Sequence, residues 1–463
     1  MNPLRIGLLP LYLKFYDEVL PGLAAEVEPF AGTVADALRG CGMSVTTAPV
    51  GRTRDQFERA VRELTEAGVD VLVTLHLAYS PSLESAPVLA ECPLPVVLLD
   101  TTPDRDFGQA VNPARLMQNH GIHGVQDLAS VLRRLGKPFR VVAGHLDDPA
   151  FLPRCEQALR AAVAARRLSD MRVLRIGESF PGMGDFAVSD AELLSGLGIR
   201  VDQISVATLS AAVAAVEPSE LAEEAAADRA RFQVECTPDV HDRTNRVGLG
   251  LRRYLRDHGY GAFSMNFLAF DSQDGPLDTV PFLECCKAMA RGLGYAGEGD
   301  ALTAALTGAL LQGFGSASFT EIFCADWSGG SLFLSHMGEF NPAMAAETPV
   351  LYEKDFPFTP ALNPATLACA PQPGPATLVN LAPGPDGSFG LIAAAVEILG
   401  DGSHPDLCHW VRGWIRPAAP LTRFLEEFSH HGGTHHSVLM AGDRLDAITD
   451  FGRHLGLPVH RIV

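Results

Sequence analysis

Val69-Asp70-Val71-Leu72-Val73-Thr74-Leu75 is a short run of β-branched and aliphatic residues that begins directly after Gly68. A run of this length and composition reads as a strand buried on both faces. Upstream of it, Thr53 can cap a helix with apolar positions at Phe57, Val61 and Leu64, ending near Gly68. Farther back, 44–48 reads as a strand, 27–38 as a helix and 4–9 as the first strand. Downstream, a helix runs from Ser80-Pro81 to about Glu91, and 96–99 is the next strand. The segments 125–135, 139–143 and 150–167 continue the alternation. Strands alternating with helices imply a parallel sheet with helices on both faces.

A second α/β unit starts near Ser169. Its first strand is 171–176, followed by a Gly/Pro-rich loop at 177–185. Helical patterns cover 218–232 and 239–258, a strand covers 262–267, and 280–293 is helical again. Asp300 can cap a helix over 301–311 that places Leu302, Leu306 and Leu310 on one face. From about Gly313, helical periodicity fades and Gly, Pro, Ser and Thr become frequent. Strand candidates follow at 318–323, 331–334, 350–352, 377–381 and Phe389–Ile398, with a hairpin signal at Asp386-Gly387. This region reads as an antiparallel sheet or barrel. A helix at 444–455 and a strand at Val459–Ile462 close the chain. The expected division is an N-terminal α/β domain over 1–168, a central α/β domain over 169–312, and a β-rich domain over 313–463.

With 463 residues, the chain is too long for one ordinary core. Hydrophobic content of 47% and charged content of 20% describe a soluble globular protein. No apolar run is long enough for a membrane span. The N-terminus reads as a strand and not as a signal peptide, so a cytoplasmic location is expected. A net charge of −19 argues against nucleic acid and anionic membranes as partners. The nine cysteines include no CxxC pair and read as reduced thiols.

Four features are unusual for plain packing. Glu298 sits between two glycines in Gly294-Tyr295-Ala296-Gly297-Glu298-Gly299-Asp300, where helix capping accounts for Asp300 but not for Glu298. Glu321 is a lone charge in the apolar strand Ser318-Phe319-Thr320-Glu321-Ile322-Phe323, a position that an exposed edge strand would also explain. His336 follows another apolar strand, in Leu334-Ser335-His336-Met337-Gly338-Glu339, where a satisfied polar residue is the plainer reading. Ser429-His430-His431-Gly432-Gly433-Thr434-His435-His436-Ser437 holds four histidines. Two carboxylates with two or more imidazoles suit Mn²⁺, Fe²⁺, Co²⁺ or Mg²⁺ better than a structural zinc, which favours thiolates. Ligands so dispersed need a scaffold built beforehand.

These four segments, in this order, resemble the L-arabinose isomerase family within the wider L-fucose/L-arabinose isomerase group. His76-Leu77-Ala78-Tyr79-Ser80-Pro81 and Asn119-His120-Gly121-Ile122-His123-Gly124 are similar to further family segments. The resemblance implies a flavodoxin-like N-terminal domain, a central α/β domain and a C-terminal antiparallel β-barrel. It implies an aldose–ketose isomerase that moves a proton between C1 and C2 of an open-chain sugar through a cis-enediol. It also implies Mn²⁺ and a homo-oligomer, trimer or hexamer, in which His123 reaches a neighbouring subunit's site. Carried over, Glu298 and Glu321 bind metal and form the acid/base pair, and His336 and His436 complete the ligand set. Phe267, Met183 and His435 join His123 at the sugar. If the segment around His436 is a strand, His435 points to the other face. The chain departs from the family after its first strand. Leu8-Leu9-Pro10-Leu11-Tyr12 replaces a Ser-Gln-His-Leu-Tyr-like turn whose Gln touches the sugar, which leaves the choice of sugar open. Metal-assisted epimerase or aldolase chemistry, and a non-catalytic sugar-binding protein on the same scaffold, are the rival readings.

Overall fold

Six consecutive buried residues place the strand Val71–His76 in the middle of a five-stranded parallel sheet. The computed structural model describes residues 3–463, which fall into two compact units. Unit 1 comprises residues up to 166 together with 449–456, and unit 2 the remainder. Unit 1 holds β1 (Arg5–Leu11), β2 (Ser44–Thr47), β3 (Val71–His76), β4 (Val96–Asp100) and β5 (Phe139–Ala143), in the order β2-β1-β3-β4-β5. This is a doubly wound order, with helices on both faces. Pro29–Gly40 and Phe151–Ser169 bury one face around Ile6, Val73 and Leu159. Arg54–Glu66, Ser82–Glu91 and Ile122–Arg134 bury the other around Phe57, Leu89 and Leu128. The helix expected over 27–38 is divided, because Pro29 starts a new helix and Leu23–Val27 forms a short one before it.

Unit 2 begins with β6 (Arg172–Ile176), β7 (Arg200–Ile204), β8 (Gln233–Val234), β9 (Ala262–Met265) and β10 (Gly294–Gly297). Beyond these lie β11 (Ala317–Asp326), β12 (Ser331–Ser335), β13 (Val350–Glu353), β14 (Ala365–Ala368), β15 (Gly374–Pro383), β16 (Phe389–Ile398), β17 (Gly413–Pro417), β18 (His436–Ala441) and β19 (Val459–Ile462). The parallel sheet β10-β9-β6-β7 forms the α/β part, and β14-β13-β8 is a small separate sheet. Strands β15, β18, β11, β12, β17 and β16 pair antiparallel in that order, and β16 returns to β15, closing a six-stranded barrel. Its hairpin turns at Asp386 and Gly387, both at positive φ, as the Asp-Gly signal requires.

The glycine-rich stretch before Glu298 is itself a strand, β10, where the sequence reading assigned no element. A four-residue strand containing two glycines carries no alternation to read. Gly294 is needed because the helix Ala301–Phe314, nearly all of it buried, lies directly against β10. A Cβ at Gly294 would collide with the Ala304 carbonyl and the Gly308 backbone. Among the described residues, no helix is long and apolar enough to cross a membrane.

Candidate metal centre

Register brings the dispersed residues of unit 2 together. On β11, Glu321 pairs with Ser335 of β12 on one side and with His436 of β18 on the other. His336 follows Ser335 directly. Glu298 leaves the end of β10 at φ 62, a left-handed conformation rare for a side chain of its size. Gly297 and Gly299 on either side of it let its neighbours approach closely. A Cβ on Gly297 would press on the His336 ring, and one on Gly299 would meet the backbone of Glu178 and Ser179.

Each imidazole is held from behind by a carboxylate. His336 Nδ1 is 2.8 Å from Glu339 Oε2, and Glu339 Oε1 accepts from the Tyr295 hydroxyl at 2.8 Å. His436 Nδ1 is 3.0 Å from Asp300 Oδ2, while Asp300 Oδ1 caps its helix by accepting from Thr303 N–H. His435 Nδ1 is 2.6 Å from Asp185 Oδ2. This arrangement turns the Nε2 atoms toward the glutamates. His436 Nε2 lies 3.5 Å from Glu298 Oε2, His435 Nε2 3.7 Å from the same oxygen, and His336 Nε2 3.9 Å from Glu321 Oε2. Phe319 meets His336 and His436 in T-shaped contacts, and Phe186 stacks flat on His436 at 5.0 Å.

The donor set fits a cation. The Nε2 atoms of His336 and His436 are buried and make no hydrogen bond. One ligand atom each from Glu321, His336 and His436 lies within 4.8 Å of the others, as does one each from Glu298, His435 and His436. The electrostatics agree. Burial works against charge on Glu298, yet the facing imidazoles of His435, His436 and His336 hold its carboxyl well below the usual range. At Glu321 burial prevails and pushes the carboxyl up against the pull of the same imidazoles. Burial also opposes charge on His436, but Asp300 and Glu298 raise it to about 9.

His435 immediately precedes β18, so strand alternation does not govern it, and its ring stands on the same side as that of His436, 4.3 Å away. His430 and His431 lie apart from the pair, at the end of the helix Leu421–His430, where His431 stacks on His460. Phe267 packs against Phe180 of the 177–185 loop, and Met183 is half-buried in that loop. His123 belongs to unit 1, where it stands exposed between the rings of Tyr79 and His120. The supporting carboxylates Asp185 and Glu339 were not identified from the sequence, and Asp300 was read only as a cap. Glu339, three residues after His336, was findable from its spacing.

Residues 172–312 match the family described as the L-arabinose isomerase central domain, and 316–458 the L-arabinose isomerase C-terminal domain. The chain belongs to the L-arabinose isomerase family. It is 28% identical over 437 residues to an L-arabinose isomerase of Nocardioides, covering 90% of this chain and 85% of that one. It is 27% identical to the L-arabinose isomerase of Mycolicibacterium smegmatis, covering 96% and 90%. L-arabinose isomerase 1 of Bacillus licheniformis is 26% identical, covering 87% and 82%. The family member described here is accordingly a sugar isomerase of the aldose–ketose type.

Proposed function

We propose that this protein isomerises an open-chain sugar by proton transfer between C1 and C2 through a cis-enediol, with Glu298, Glu321, His336 and His436 holding a divalent cation, Mn²⁺ first among the candidates. The observation that carries this reading is the pair of buried, unpartnered Nε2 atoms facing two carboxylates. A bound cation would supply Lewis acidity at the sugar's O1 and O2 and stabilise the charge that develops there. The chain's own residues do the rest. Glu298 and Glu321 flank the centre and are the groups able to take a proton from one carbon and return it to the next. Asp300 and Glu339 fix the imidazole orientations. Phe186, Phe180 and Phe267 form an apolar wall that keeps water from the intermediate. Retention of both glutamates favours catalysis over mere sugar binding.

The family's three-domain division, 1–168, 169–312 and 313–463, and a cytoplasmic, homo-oligomeric state in which His123 completes a neighbour's site belong to the same proposal. Exposed Phe15, Val19, Leu116 and Ile122, on the same short segments as Tyr16 and His120, support such an interface. A panel of aldopentoses and aldohexoses with Mn²⁺ tests the function. One aldose–ketose pair should interconvert, and Glu298→Gln and Glu321→Gln should each abolish turnover. No interconversion across the panel, or an unaffected Glu298→Gln, defeats the proposal. Anomalous scattering from Mn²⁺-soaked crystals should peak among the four ligands.

A further inference from the structure

The 177–185 loop ends on a carboxylate that none of the four proposed ligands uses. Asp185 Oδ2 accepts from the backbone N–H of His435 at 2.8 Å and lies 2.6 Å from its Nδ1. One oxygen thus fixes both the main chain and the ring of His435. The loop is anchored to the site on either side of this contact. Phe180 N–H donates to the Glu298 carbonyl at 2.8 Å, and Phe186 packs against both His435 and His436. His435 differs from the other two imidazoles in its access. Its side chain is 32% exposed, against 3% for His336 and 0% for His436. With Glu298, Glu321, His336 and His436 holding a cation, as proposed above, His435 would remain free to meet the sugar. His435 Nε2, 3.7 Å from Glu298 Oε2, belongs to the most exposed of the three imidazoles and is the one open to a substrate beside Glu298.

We propose that Asp185 is a positioning residue that holds His435 so that its Nε2 hydrogen-bonds a substrate hydroxyl beside Glu298. This rests on the metal-isomerase reading above. The test compares Asp185→Ala, His435→Ala, the double variant and Asp185→Asn, using kinetics on the sugar the wild type isomerises and titration with Mn²⁺ alone. Asp185→Ala should lower kcat/KM about 10–100-fold, mostly through KM. Its Mn²⁺ affinity should stay within about threefold of wild type, since His435 is not a ligand. The double variant should be no worse than His435→Ala, because the two residues act as one unit. Asp185→Asn keeps an acceptor oxygen and should recover most of the loss. Additive losses, unchanged kinetics in Asp185→Ala, or a Mn²⁺ affinity weakened tenfold overturn the proposal. A wild type that neither takes up Mn²⁺ nor isomerises any sugar overturns the underlying reading, and this inference with it.

Discussion

Glu298 carries two burdens at one position. Its side chain belongs to the cluster, while its backbone sits at φ 62, where glycine is at ease and other residues are strained by roughly 1–2 kcal/mol. Two truncations that remove the same carboxylate separate these burdens. Glu298→Gly should be more stable than Glu298→Ala by about 1 kcal/mol, and thermal melting of the metal-free proteins measures the difference. Neither should bind Mn²⁺ with wild-type affinity. Asp300 is likewise shared, between a helix cap and the His436 ring. Asp300→Ala should cost about 1 kcal/mol of stability through the lost cap and weaken Mn²⁺ binding about 10–100-fold. Asp300→Asn, which keeps an acceptor for Thr303, should recover the stability, as urea unfolding beside Mn²⁺ titration would show. Far from this cluster in sequence, His76 is buried against Gly121 and Gly124, and neither of its ring nitrogens has a partner. Burial lowers its pKa to about 3, with Asp127 opposing weakly. The unfolded chain therefore takes up this proton first as pH falls. The stability it provides is complete above about pH 6.5 and declines from there toward pH 3, by at most about 1.4 kcal/mol per pH unit. Protection factors of the Val71–His76 amides, measured against the intrinsic exchange rate at each pH, should fall between pH 7 and pH 5 in wild type, and less in His76→Asn.

At the scale of elements, what was legible follows from what a pattern can encode. The helix Ala301–Phe314 announced itself through Asp300 and the leucines spaced along one face. The strand β3 was visible because every residue in it is buried. The strands β7 and β17 were not, because β7 is an edge strand with most of its residues half-exposed or exposed, and β17 ends in Pro417. The four proposed ligands were readable as residue types out of place. The carboxylates behind His435 and His436 were not, since Asp185 and Asp300 become their partners only through tertiary packing. The β10 strand was hidden by the glycines that let it pack. Gly294→Ala should force β10 away from the helix Ala301–Phe314 and lower stability by about 1–3 kcal/mol. Because Glu298 follows β10 directly, the same variant should also weaken Mn²⁺ binding, whereas Gly432→Ala, with no side chain nearby, should affect stability alone through its positive φ.

At the scale of the whole molecule, the candidate residues are divided between the two compact units, with the metal cluster in unit 2 and His123 in unit 1. His123 has ring contacts with Tyr79 and His120, and His120 is itself fixed by Tyr16 and the Met117 carbonyl. An exposed imidazole on a braced platform, with Phe15, Val19, Leu116 and Ile122 exposed on the segments that carry Tyr16, His120 and His123, suits a group presented to another copy of the chain. If His123 serves a neighbour's site, it and Glu298 act from different subunits, and two defects on different chains can compensate. His123→Ala and Glu298→Gln should each be inactive as homo-oligomers. Dissociated, mixed and reassembled, they should regain activity, because some sites then pair an intact His123 with an intact Glu298. Ile122→Asp should shift sedimentation toward smaller species and lower activity while each subunit still binds Mn²⁺. Recovery of activity on mixing cannot arise if each chain works alone, since every chain in the mixture carries one of the two defects. A mixture as inactive as its components, from variants shown to co-assemble by sedimentation, would place His123 and Glu298 in the service of the same subunit.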